Sequence, residues 1–151
     1  MDSHHAAPKQ AAAHAANTAI AARLSACGIR VTEQRLQIAG ILLSAAQHLS
    51  AEQIAEALQD GGARVSKATV YNTLNLFAAR GLIRQLTLDG SFAWFDSNVQ
   101  PHYHFHDEQT GSITDVALDE VQFARLPPAP PGMEFAGIDL VIRLRRRAQV
   151  G

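Results

Sequence analysis

Helix punctuation constrains this chain more than its composition does. Thr32 is a good N-cap, because its hydroxyl can accept an orphan backbone N–H. Behind it Leu36, Ala39 and Leu43 recur at helical spacing with Ile38 and Leu42 beside them, predicting a helix that ends near Ala46. Ser50-Ala-Glu-Gln53 reads as a capping box that opens a short helix with Ile54, Ala57 and Leu58 inward, stopped by Gly61-Gly62. Ser66 caps the next helix, whose buried stripe is Val70, Leu74 and Phe77 and whose end falls at Gly81, where a left-handed C-cap residue belongs. An earlier helix is predicted around Thr18–Ala26, stopping at Gly28. Two strands follow, about Ile83–Leu88 and Phe92–Asp96, joined by Asp89-Gly90, a type I′ hairpin signal. Three helices and then a hairpin is the order of a winged helix-turn-helix, in which the third helix enters the major groove and the hairpin flanks the phosphates.

The outer face of the helix from Ser66 to Arg80 suits that use. Ser66, Lys67, Thr69, Tyr71 and Asn72 can donate to phosphates or read base edges; Asn pairs with adenine and a Tyr ring packs on a thymine methyl. Arg30 and Arg35, before and within the preceding capped helix, can add phosphate or minor-groove contacts. A solvated face of an ordinary helical domain has the same polarity, so the helix order and the hairpin carry the DNA-binding reading, not the polar residues alone.

Beyond Asp96 the chemistry changes. His102, His104 and His106 fall at alternate positions, so on an extended strand their imidazoles share one face with Tyr103 and Phe105 opposite. Asp96 and Asp115 bracket the run. Imidazole with carboxylate suits Fe(II), Mn(II), Zn(II) or Co(II) better than a soft-metal site, and haem is a further ligand for such a strand. His106 is the outlying member, because its neighbours Asp107 and Glu108 can simply solvate it. His48, between two helices of the first half, reads from the residues alone as a surface histidine.

The chain has 151 residues, enough for one ordinary domain or two small ones. Residues 1–16 hold few large apolar groups and read as a flexible leader, leaving a DNA-reading domain over 17–97 and a second domain over 98–151. In that second part, strands are expected at His102–His106, Gly111–Val116 and Phe135–Arg145, a short helix at Leu118–Arg125, and an extended connector at Pro127–Pro131. The fold class is therefore α+β: an N-terminal winged helix-turn-helix domain and a small α/β domain. Residues 1–84 carry 8 Lys/Arg against 5 Asp/Glu, and residues 85–151 carry 5 against 9, so the first part suits a polyanion and the second suits cations. Cys27 is the only cysteine, which rules out an intrachain disulfide and reads as structural. With no bilayer-length apolar run and no signal pattern, the location expected is cytoplasmic, away from any membrane.

With these residues in view, the chain resembles the ferric uptake regulator superfamily of metal-responsive transcription factors. The resemblance runs from about Gly28 to Asp115. Gly28-Ile-Arg-Val-Thr-Glu-Gln-Arg35 is similar to the signature before the family's second helix; Ser66-Lys-Ala-Thr-Val-Tyr-Asn-Thr-Leu74 is similar to its recognition helix, continuing at Gly81-Leu-Ile into the wing. The resemblance implies a homodimer on double-stranded palindromic operator DNA, usually as a repressor, with a C-terminal dimerisation domain. It implies a regulatory metal held by His48, Asp96, His102, His104 and Asp115, which raises His48 from surface residue to ligand. A metal held by both domains would fix the angle between them.

The family's common Cys-x-x-Cys pair is matched here by Asp107 and Thr110, so its structural four-cysteine zinc is expected to be absent. That loss, with Phe95-Asp-Ser-Asn-Val99, the histidine-rich strand and the C-terminal Pro-Pro-Gly-Met run, resembles the iron response regulator branch, which senses iron through haem. Some members carry a Cys-Pro haem motif; Cys27 is followed by Gly28, so haem would use the His102–His106 region, His106 included. Asp115 implies a second signal, because in peroxide-sensing members an aspartate here accompanies iron-catalysed oxidation of a histidine ligand, with His48 and His102 exposed to it. A further His/acidic site of the family is poorly matched by Tyr103, Gln122 and Asp139.

Two rival classes remain. Two histidines and a carboxylate also form the facial triad of iron oxygenases, but such a site needs an open position and a substrate pocket, and half of this chain is spent on a DNA reader; no catalytic residue is assigned and the chain is not read as an enzyme. A DNA-binding module with vestigial histidines is the other, and its DNA binding would ignore chelators.

Overall fold

The computed structural model describes residues 6–88 and 92–149, which form two compact units, Met1–Val99 and Gln100–Gly151. The first unit runs α1 (Ala6–Ala26), α2 (Glu33–Leu42), β1 (His48–Ser50), α3 (Ala51–Asp60), α4 (Lys67–Ala79), β2 (Arg84–Leu88) and β3 (Phe92–Asp96). The second runs β4 (Tyr103–Asp107), β5 (Ile113–Val116), a single 3-10 turn at Leu118–Glu120, and β6 (Val141–Leu144).

Local chemistry starts the helices where the sequence says it should. The hydroxyls of Thr32, Ser50 and Ser66 accept the backbone N–H of Arg35, Gln53 and Thr69. Gln53 closes the capping box by accepting the N–H of Ser50 at 3.0 Å. At the end of α4, Gly81 turns left-handed (φ 76°) and the N–H of Leu82 returns to the carbonyl of Phe77 at 3.0 Å, a pairing that a Cβ would strain.

Several bounds differ from expectation. α1 begins at Ala6, not near Thr18, so residues 6–16 of the expected leader are helical. Residues 10–19 are exposed, so intrinsic propensity in an Ala-rich run, not burial, favours the helix there. α2 stops at Leu42 instead of Ala46, because the Gln47 side chain takes the carbonyls of Ile41 and Leu42. In α3 the inward residues are Ala51, Ile54 and Leu58; Ala57 faces solvent. The expected helix at Leu118–Arg125 is only the 3-10 turn, so the second unit has no α-helix among the described residues, and the strand expected over Phe135–Arg145 shortens to β6. The Asp89-Gly90 turn lies outside the described residues.

The core of the first unit gathers Leu24, Ile38, Leu42, Ile54, Val70, Leu74, Phe77, Ile83 and Phe95, with helices contributing one stripe each and the sheet contributing Phe95. Its antiparallel sheet has the order β1-β3-β2. The helix set with a flanking β2–β3 pair is the winged-helix arrangement. In the second unit the order is β5-β4-β6, with β4 antiparallel to β5 and parallel to β6, so β4 is the central strand. Among the described residues, no helix is long and apolar enough to cross a membrane.

Candidate metal centre and DNA-reading face

In the first unit, strand register sets an imidazole beside a carboxylate. His48 on β1 and Asp96 on β3 are direct cross-strand partners, and Nε2 of His48 lies 3.0 Å from Oδ2 of Asp96. Both side chains are buried, at 8% and 2% exposure, where an unpartnered carboxylate would be strongly disfavoured. The second oxygen, Oδ1, accepts the N–H of Asn98 at 2.8 Å, which fixes the carboxylate plane. Arg84 on β2 is the other register partner of Asp96, so one cross-strand row reads imidazole, carboxylate, guanidinium.

The second unit repeats the device. His104 on β4 and Asp115 on β5 are cross-strand partners. His102, just ahead of β4, brings Nε2 to 3.3 Å from Oδ1 of Asp115, while Nε2 of His104 lies 4.0 Å from the same oxygen. The two imidazoles meet edge-on with centroids 4.5 Å apart. Nδ1 of His102 is hydrogen-bonded to the carbonyl of Gln100. A carbonyl only accepts, so Nδ1 is the donor in that contact, and Nε2 is the ring nitrogen turned toward Asp115.

His106 stands outside both groups. Its register partners are Ile113 and Arg143, and its buried Nδ1 has no hydrogen bond among the described residues. Where the resemblance places a cysteine pair, Oδ1 of Asp107 instead accepts the N–H groups of Gln109 and Thr110, at 2.9 and 3.2 Å, and closes the turn between β4 and β5.

The residues read as DNA-contacting lie at the surface of the first unit. α4 buries Val70, Thr73, Leu74 and Phe77 and exposes Lys67, Tyr71 and Asn72. The Ser66 and Thr69 hydroxyls are hydrogen-bonded to each other at 2.8 Å, so both are tied to the start of α4. The Arg35 guanidinium donates to the carbonyl of Arg30 at 2.8 Å, and Arg30 itself is exposed. An open cleft of about 460 Å³ runs between the start of α2 and α4, lined by Thr32, Arg35, Thr69 and Asn72 among others. Sequence reasoning passed over Asn98 and Gln100, which bond to Asp96 and His102, and Gln47 and Ser97, which bond to each other beside His48 and Asp96. Only Asn98 left a legible sign, because Asp-Ser-Asn is a natural Asx-turn.

Comparison with known proteins agrees with this architecture. A profile of the Ferric uptake regulator family matches residues 26–130. The chain is 38% identical over 104 residues to the peroxide-responsive repressor PerR of Staphylococcus epidermidis, covering 67% of this chain and 69% of that one. It is 40% identical over 94 residues to the peroxide-responsive repressor PerR of Staphylococcus aureus, covering 62% of this chain and 64% of that one. A solved structure of the ferric uptake regulator from Pseudomonas aeruginosa with manganese aligns with a TM-score of 0.65 at 28% identity, covering 85% of this chain and 98% of that one.

Proposed function

The chain belongs to the ferric uptake regulator family, and from that premise we propose that it is a metal-responsive, sequence-specific DNA-binding regulator that acts as a homodimeric repressor. The observation that carries the reading is the doubled His/Asp pairing, His48 with Asp96 in one unit and His102 and His104 with Asp115 in the other. We assign these five residues as the ligands of one divalent metal, Fe(II), Mn(II) or Zn(II). A bound ion supplies positive charge that the two carboxylates share and a centre for three imidazole lone pairs. An ion that drew ligands from both units would bind one arrangement of the units better than others, and the DNA-competent population would shift by that difference in affinity.

Lys67, Tyr71 and Asn72 are then the base and phosphate contacts of α4, with Arg30 and Arg35 on the flanking backbone. The dimer is supported by the second unit, which leaves Leu126, Met133 and Phe135 exposed, at 46%, 68% and 58%. A second copy of this unit is the partner that such side chains suit, and two-fold symmetry then calls for a palindromic operator.

Peroxide as the signal is a second reading, favoured by the two peroxide-responsive relatives and by Asp115. The iron response regulator reading, with haem as ligand, rests on the missing cysteine pair and the His102–His106 strand alone.

One experiment tests these readings together. Binding of the purified protein to a duplex selected from a random-sequence pool is followed with Mn(II), Fe(II), Zn(II) or haem, and with Fe(II) followed by peroxide. Metal-dependent binding is expected in the native protein. It is expected to vanish in the His102→Ala, His104→Ala double variant, with metal affinity down by more than about 100-fold in calorimetry. Release by peroxide after Fe(II) but not after Mn(II) supports peroxide sensing; a response to haem alone supports the iron response branch. Unaltered metal affinity in the double variant would reject the site.

A further inference from the structure

Two residues that the metal reading does not use sit directly against its ligands. Gln47 precedes His48, and Ser97 follows Asp96. The N–H of Gln47 donates to Oγ of Ser97 at 3.1 Å, and the N–H of Ser97 donates to the carbonyl of Gln47 at 3.2 Å. This exchange extends the β1–β3 pairing one step past His48 and Asp96. The same two residues then reach back to the end of α2. Oγ of Ser97 donates to the carbonyl of Ala45 at 3.0 Å. Nε2 of Gln47 donates to the carbonyls of Ile41 and Leu42, at 2.6 and 3.1 Å, and lies 3.3 Å from Oγ of Ser44.

The carbonyls of Ile41 and Leu42 are in the last turn of α2, where the helix leaves them without an intrahelical partner. One amide side chain therefore caps the helix while its own backbone is locked to the strand pair that carries the ligands. The far end of α2 begins at the Thr32 cap and bears Arg35, held on the Arg30 carbonyl and facing the cleft shared with Thr69 and Asn72. A ten-residue helix is about 15 Å long and moves as a rod. A shift of its C-terminal turn is passed on to its N-terminus.

We infer that Gln47 and Ser97 are positioning residues that carry the state of the His48–Asp96 pair along α2 to Arg35 and the DNA-reading cleft. The inference rests on the metal reading above and adds the route by which that site reaches DNA within the first unit.

The test compares Gln47→Ala, Ser97→Ala and the conservative Ser97→Thr with the native dimer. Mn(II) affinity is measured by calorimetry without DNA. Affinity for a duplex selected from a random-sequence pool by the Mn(II)-loaded native protein is measured with and without Mn(II). In Gln47→Ala and Ser97→Ala, the ratio of the two DNA affinities is expected to fall about tenfold toward one, with Mn(II) affinity changed less than about threefold. Ser97→Thr, which retains the hydroxyl, is expected to keep the native ratio. A native ratio in both alanine variants overturns the inference. So does a loss of ratio matched by an equal loss of Mn(II) affinity, since the residues would then only hold the ligands. A native protein that binds no Mn(II), or whose DNA affinity ignores it, sinks the metal reading instead.

Discussion

Asp107 shows how much one side chain can settle. The N–H of Gln109 first, and that of Thr110 next, hold its carboxyl below the usual carboxylate range. A folded value below the unfolded one means stabilisation that is present above the ordinary Asp range and is lost as pH falls through the lower folded value. In an NMR titration, the amide protons of Gln109 and Thr110 are expected to shift together with a midpoint below that of an ordinary Asp. Asp107→Asn keeps an acceptor oxygen but is expected to abolish the titration; shifts that persist in that variant would exclude Asp107 as their source. This role was not legible in the sequence, where Asp107 reads only as a solvating neighbour of His106. Its partners are N–H groups two and three residues on, available only once the turn has formed. His48 is similar: nothing near it in the chain marks it as special, and its partner lies on a strand 48 positions later. The nearness of His102 to His104 was legible because alternation puts their imidazoles on one strand face, but the same alternation offers His106, which the structure sets apart.

At the level of elements, starts were easier to read than ends. A cap is a contact over three residues, so Thr32, Ser50 and Ser66 announce their helices locally. The end of α2 is decided by Gln47, five and six residues beyond the carbonyls it takes, and the three-residue β1 is too short to carry a period. Ser50 has two duties, as the last residue of β1 and the N-cap of α3, with no loop between them. Ser50→Ala is expected to lower stability by about 1 kcal/mol, read as a reduced urea midpoint at unchanged slope. It should also reduce metal affinity, because the same residue anchors the strand bearing His48. A variant with native stability would mean that the capping box contributes nothing here.

For the molecule as a whole, fold class was legible because helix caps, the hairpin order and the histidine alternation all agree with one architecture. The pairing of β4 with β6 was not, since the two are separated by a long proline-containing stretch that carries no signal of where it returns. Assembly belongs to this scale. If a second copy covers Met133 and Phe135, Met133→Glu with Phe135→Asp is expected to convert the dimer to monomer in sedimentation velocity and to weaken DNA binding by about 100-fold or more, since each half-site then binds alone. A variant pair that stays dimeric would place the interface elsewhere. The parallel β4–β6 pairing has one more consequence, for the order in which a cell can build this protein. The strand that carries His104 gains its second neighbour only when Val141–Leu144 arrives, with the N–H of His104 bonded to the carbonyl of Leu140. During translation the first unit can therefore mature well before β4 is flanked on both sides, so a stalled or truncated product would hold a folded first unit beside a strand still missing one edge.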